Sequence, residues 1–298
     1  MSQAYKLKVT RTVFRGAEFL PEQEYISMPV VEEHFDARGY KIFECQYDSL
    51  GEPEYIMNWQ YDEAGRLSVY TETDPGQEFS FREETHYKSD GKIDKKIIFY
   101  ADSSNDREIY RYNTEGLLTE TRRITDENET EEIVRKEYEG HLLIREYTEI
   151  PGEGISAEKK MIYNKKGVLV EKIEEKEEEF SRTVYEYSPE GQLVKTIVFN
   201  SEGDAIQEFE ILARNGEQVL GAREKVAGAP EKRIESVYDD QGRLMREITR
   251  LADGSLFSEI IRMYDENDRL VQQKVITGPA YASAPQYLRY DYTYEPLE

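Results

Sequence analysis

The sequence predicts an all-β chain: an antiparallel β-hairpin meander of about ten 25–26-residue repeats, forming one long twisted or curled sheet. Three observations predict it. An aromatic residue followed four positions later by Gly and six later by an aliphatic recurs along the chain, as in Tyr61, Gly65 and Leu67 or Tyr238, Gly242 and Leu244. Successive copies begin 24–26 residues apart from Phe35 through Tyr290, and a fixed period of that size marks a repeat architecture. The segments between the motifs are rich in Tyr, Ile, Val and Thr alternating with charge, the pattern of half-buried strands, and helical periodicity is missing over most of the chain.

Residues 1–34 hold a strand-like stretch from Tyr5 to Phe14 and a connection punctuated by Pro21 and Pro29, expected to cap the first exposed edge. The array, residues 35–277, begins at Phe35 with Gly39 and continues through anchors Tyr61, Tyr87, Tyr112, Tyr138, Tyr163, Tyr187, Leu212, Tyr238 and Tyr264. Tyr138 has a shortened turn, Glu139-Gly140-His141-Leu142, and Tyr264 has Asp268 in place of Gly. In Tyr61-Asp62-Glu63-Ala64-Gly65-Arg66-Leu67 the Asp bonds forward to the turn backbone and the Gly takes the left-handed conformation that closes a hairpin. A 26-residue unit needs a second turn, because strands rarely exceed about ten residues. Turn chemistry is present there, in Asp74-Pro75-Gly76, Pro151-Gly152-Glu153-Gly154 and Asn200-Ser201-Glu202-Gly203. One set of turns is uniform and the other irregular, so one sheet edge is regular and the other variable. Residues 278–298 form a loop and a last strand in which Tyr290 begins a truncated copy. The anchors are expected to line one face, with ring contacts between successive repeats.

Composition narrows the function. With 39 basic and 62 acidic residues the formal charge is −23, which disfavours nucleic acid and anionic lipid, whose phosphates need clustered Lys and Arg. No window approaches 18 consecutive apolar residues, which excludes a membrane-spanning helix. The N-terminus has no apolar stretch of signal-peptide length, so a cytoplasmic protein is expected. Cys45 is the single cysteine and is read as a small apolar side chain. His34 and His86 stand two repeats apart, too far to share a metal, and His141 belongs to a surface turn. No nucleophile elbow, phosphate loop or Cys/His pair occurs. No cofactor, metal site or catalytic residue is therefore assigned, and the protein is read as not an enzyme.

The Tyr-Asp-x-x-Gly-Arg-Leu strings at 61–67 and 238–244 resemble the YD repeat of the Rhs and Tc-toxin shells and of teneurins, over residues 35–294. That resemblance implies hairpins stacked into a spiralling sheet. Its shells run to many more repeats, and ten units are expected to be too few to close a large cavity. The shells' self-cleaving Asp-Pro-x-Gly-Leu segment has no match, since Asp74-Pro75-Gly76-Gln77 lacks the spacing. A weaker likeness is to MORN-type repeat antitoxins. Together these features point to a noncatalytic protein-interaction scaffold, in a narrower form an immunity protein or chaperone of a bacterial toxin system. The alternative is a self-associating structural, shell-type fragment. The partner is expected to be another protein, a basic one, met by the irregular acidic turns at Glu127, Glu129, Glu131, Glu174, Glu175, Glu177, Glu178 and Glu179.

Overall fold

The computed structural model describes residues 3–15, 26–76, 80–279, 281 and 286–297. It contains 22 strands. In chain order they are β1 (Tyr5–Arg15), β2 (Ser27–Phe35), β3 (Lys41–Tyr47), β4 (Pro53–Tyr61), β5 (Leu67–Thr73), β6 (Phe81–Tyr87), β7 (Ile93–Tyr100) and β8 (Asn105–Tyr112). Next come β9 (Leu118–Ile124), β10 (Thr130–Glu139), β11 (Leu142–Ile150), β12 (Gly154–Tyr163), β13 (Leu169–Lys176), β14 (Glu179–Tyr187) and β15 (Leu193–Phe199). The last are β16 (Ala205–Asn215), β17 (Gln218–Val226), β18 (Lys232–Tyr238), β19 (Leu244–Leu251), β20 (Leu256–Tyr264), β21 (Leu270–Thr277) and β22 (Gln286–Pro296). No helix occurs among the described residues.

Every strand pairs antiparallel with its sequence neighbours, and β1 pairs with β22 from Tyr5↔Pro296 to Arg15↔Gln286, so the sheet is a closed barrel. This corrects the expectation that the array is too short to close. β1 does not cap a free edge; it is the stave between β22 and β2. At about 4.8 Å between strands and a tilt of 35–45°, 22 staves make a ring roughly 40–48 Å across when round. Among the described residues, strands contact only their ladder partners, so nothing bridges the ring. The accessible surface is 18600 Å², whereas a compact monomer of this mass exposes about 13,000 Å². The wall is one layer thick and exposed on both faces, and among the described residues its buried apolar side chains are only Val9, Phe14, Cys45, Ile98, Ile133, Ala222 and Ile248.

The register places the anchors on one face, but they do not stack ring on ring. The anchor hydroxyls donate to a carbonyl at the first or second residue of the neighbouring strand: Tyr61 to Lys41 (2.9 Å), Tyr87 to Leu67 (2.7 Å), Tyr163 to Leu143 (2.9 Å), Tyr264 to Leu244 (3.2 Å). The Arg after the turn glycine fills the space between anchors, Arg66 lying over Tyr87 at 4.3 Å and Arg243 over Tyr264 at 5.1 Å. Two anchor assignments are corrected. In the eighth copy Leu212 is 55% exposed at a bulge, and Arg214 takes the anchor's place, donating to the Leu193 carbonyl at 2.9 Å. In the last copy Tyr294, not Tyr290, makes the bond, to Leu270 at 3.2 Å. Gly39, Gly65, Gly91, Gly116, Gly167, Gly191, Gly216 and Gly242 all have positive φ, as the hairpin turns require.

Candidate interaction rim

Up-and-down topology sends the turns alternately to the two ends of the barrel. The regular rim carries the anchor turns, from residues 36–40 to residues 265–269. The other rim carries the irregular connections that follow the odd-numbered strands. Among the described residues the segments of the irregular rim hold 14 Asp and Glu and no Lys or Arg, those of the regular rim 12 acidic and eight basic, and the strands 31 of each. Of the net −18 on the described residues, −14 belongs to one rim.

The rims also differ in how their acids are held. On the regular rim Asp62 pairs with Arg66 at 2.7 Å, Asp239 with Arg243 at 2.7 Å and Asp265 with Arg269 at 2.6 Å. Bonds from the backbone N–H of Arg66 and the Arg66 guanidinium hold the Asp62 carboxyl below its usual range, and Asp239 is lowered in the same way by Arg243. On the irregular rim, among 14 described acidic residues only Glu231 lies within ion-pair distance of a cation, 3.6 Å from both Lys225 and Arg233. The rest face water or cap their own turns, as Asp48 does for the N–H groups of Leu50 and Glu52.

The expected site residues fall into two groups, four in turns of this rim and four in the adjoining strands. Glu127 and Glu129 stand in the turn between β9 and β10, and Glu177 and Glu178 form the turn between β13 and β14. The two turns are four strands apart, about 19 Å. Glu131 is the second residue of β10 and is tied to Arg123 at 3.0 Å, so its charge is spent within the wall. Glu174 pairs with Lys172 at 2.6 Å on the anchor face, while Glu175 points to the opposite face without a cationic partner. Glu179 opens β14. Glu174, Glu175 and Glu179 line a groove of about 490 Å³ with Phe180 in its wall. Glu177 has φ +51°, a left-handed conformation that is unusual for Glu.

Sequence reasoning overlooked Asp48, Glu52, Glu153, Glu202 and Asp204, which stand on the same rim. The signal for them was there: summing charge separately over the two classes of turn exposes the asymmetry. His34 bonds Glu32 at 2.7 Å, and His86 lies 3.9 Å from Glu84. Among the described residues no three His, Cys, Asp or Glu side chains are grouped to hold a metal.

No family model matches the chain, and no curated protein matches it. Among solved structures it is similar to the TcdB2-TccC3 complex, with TM-score 0.48 and 12% identity over 94% of this chain and 19% of that one. It is also similar to a Photorhabdus luminescens Tc holotoxin pore, with TM-score 0.45 and 14% identity over 94% and 18%. A porin-like protein from Bacteroides uniformis aligns with TM-score 0.28 and 11% identity over 99% and 96%. The chain spans about a fifth of the length of the Tc structures it matches.

Proposed function

We propose that this chain is a noncatalytic scaffold whose irregular, acidic rim binds a basic protein partner end-on. The observation that carries the reading is the charge partition: among the described residues, a rim of 14 acids without one Lys or Arg, above walls whose charges cancel. Repulsion among those acids is unrelieved in the free chain, and a basic surface relieves it. Such a patch raises association rates and acts over about one Debye length, 8 Å at physiological ionic strength. In a narrower form the basic partner is a toxin that the chain masks or escorts; the YD-like motif motivates it and charge complementarity is its mechanism. Both wall faces carry charges in mid-strand, Glu83, Lys96 and Lys136 on the anchor face and Arg122, Arg145 and Glu171 on the other. A lipid-facing Arg or Lys at the bilayer midplane costs about 2–4 kcal/mol, so the distribution supports a barrel with water on both sides. The hollow, single-layer wall favours a second reading, a shell-type structural ring, which requires no basic partner.

The test compares two charge reversals of equal size. Glu127, Glu129, Glu177 and Glu178 are changed together to Lys, and separately Glu63, Glu190, Glu217 and Asp240 on the regular rim. Recovery of a partner from the native host on immobilised chain is expected to fall at least tenfold for the first variant only, and to weaken with added salt. Equal recovery by both variants would remove the rim from the interaction and leave the structural ring.

A further inference from the structure

On the face opposite the anchors, three guanidinium groups converge on one carboxylate. Arg111, Glu120 and Arg135 stand directly opposite one another on β8, β9 and β10, and Arg122 lies two residues along β9. Arg111, Arg122 and Arg135 approach Glu120 at 3.3, 3.2 and 3.0 Å. Glu120 is only 7% exposed, so it is a fixed part of the wall. Arg135 makes one further ion pair, with Glu149 at 3.3 Å. On the same face, among the described residues, Arg182 pairs with Glu171 alone and Arg246 with Glu259 alone, while Glu208 is approached by Lys195, Arg223 and Lys225, of which Arg223 also pairs with Glu210 and Lys225 with Glu231. Here three cations meet two carboxylates, and the Nε of Arg122 is shut off from solvent with no acceptor.

The excess is not discharged by the acidic rim. Six residues separate Arg111 from the start of β8, about 20 Å of strand, more than two Debye lengths at physiological salt. Nor is it hidden, because the Arg111 side chain is 60% exposed. Three guanidiniums carry fifteen N–H donors, and the two carboxylates Glu120 and Glu149 offer about eight acceptor sites, so donors remain for a further anion. Arg is the side chain best matched to planar, bidentate recognition of oxyanions. Glu120 holds the three groups within a few ångströms of one another before any ligand arrives.

We propose that Arg111, Arg122 and Arg135 form an anion site for a phosphate group, with Glu120 as the strut that pre-positions them. The site does not depend on the rim reading: it lies elsewhere on the barrel and takes a ligand of opposite charge.

Isothermal titration of the full chain with inorganic phosphate and with phosphoserine, in low-salt chloride buffer, tests it. One equivalent is expected to bind. Tighter binding of the amino-acid ester would mark a carried phosphate, and tighter binding of the inorganic ion a free one. Arg111→Gln and Arg135→Gln are each expected to weaken binding at least tenfold. Arg111 is exposed enough for its variant to fold, which circular dichroism verifies. No saturable binding at millimolar phosphate, or unchanged affinity in a folded Arg111→Gln variant, would show that the cluster only braces the wall.

Discussion

The Tyr-Asp-x-x-Gly-Arg-Leu motif is a clamp between neighbouring hairpins, and each of its residues has one task. The Tyr hydroxyl bonds the adjacent strand, the Asp Oδ1 accepts the N–H groups inside its own turn, and the Asp Oδ2 holds the Arg that covers the next Tyr. The chain carries its own control for the Asp charge: Asn113 and Asn164 accept the same pair of N–H bonds without it. Replacing Asp62, Asp239 and Asp265 together by Asn should therefore preserve the turns. It should change the acid limb of stability. The three carboxyls sit below their usual range, Asp62 and Asp239 chiefly through the backbone N–H of the following Arg and Asp265 chiefly through the Arg269 side chain. A depressed folded pKa contributes stability that is present above the unfolded value, about 3.9, and is lost as pH falls through the folded value. Thermal midpoints measured from pH 6 to 2 should fall less steeply in the triple Asn variant than in the parent. Parallel curves would mean that these pairs are too well screened to matter. The clamp was legible as a repeat because Tyr, Asp and Gly recur at fixed spacing. Arg214 was not, since a guanidinium donates to the same carbonyl as a phenol without resembling one in sequence, and the bulge that exposes Leu212 shifts its register by one.

Hairpins are where the two rims part ways. Regular turns are held by Gly at positive φ, Gly65 at +80° and Gly242 at +83°, with Asp268 as a substitute at +63°. Most irregular turns also use Gly there, as Gly51 at +84° and Gly203 at +87°, but three of them place Ser103, Asn128 and Glu177 in the same region. Asn and Asp tolerate it by bonding their own backbone, whereas Glu has no such compensation. Glu177→Gly should stabilise the fold by about 0.5–1 kcal/mol, the cost of the left-handed conformation less the entropy that Gly adds to the unfolded chain. The urea midpoint measures it. A midpoint at or below the parent's would show that the Glu177 side chain supports the turn. A residue kept in strain where a glycine fits is consistent with selection for its charge, which ties this turn to the proposed rim. The existence of the irregular turns could be read from Pro, Gly and Asp clusters. Their common charge could not be read by scanning along the chain, since residues 151–153 and 200–204 contribute only one and two acids each. It emerges once every second turn is assigned to the same end.

Closure belongs to the whole ring. Each ladder adds a small twist and register shift, most anchor turns being followed by a bulge such as that between Gln60 and Tyr61. Only the sum over 22 ladders decides whether the last strand meets the first, and local residue patterns do not carry that sum. What they do carry is parity. Hairpin topology makes odd strands run one way and even strands the other, so an even number of staves closes with an antiparallel seam, as β1 with β22. An odd number forces a parallel seam, whose bonds are slanted and less stable, or leaves two free edges that recruit other chains. Deleting residues 164–187 removes β13, β14 and one anchor turn, and joins Tyr163 to the turn at residues 188–192 that already serves the equivalent Tyr187. The product has 20 strands and should keep the parent's association state with a narrower ring. Truncating after residue 277 removes only β22 and leaves β1 and β21 running in the same direction. That chain, although it loses fewer residues, should form oligomers or aggregate. Size-exclusion chromatography with light scattering distinguishes the two. A monomeric 21-strand product as compact as the parent, or a 20-strand product that aggregates as readily, would show that stability resides in the hairpins and not in closing the ring.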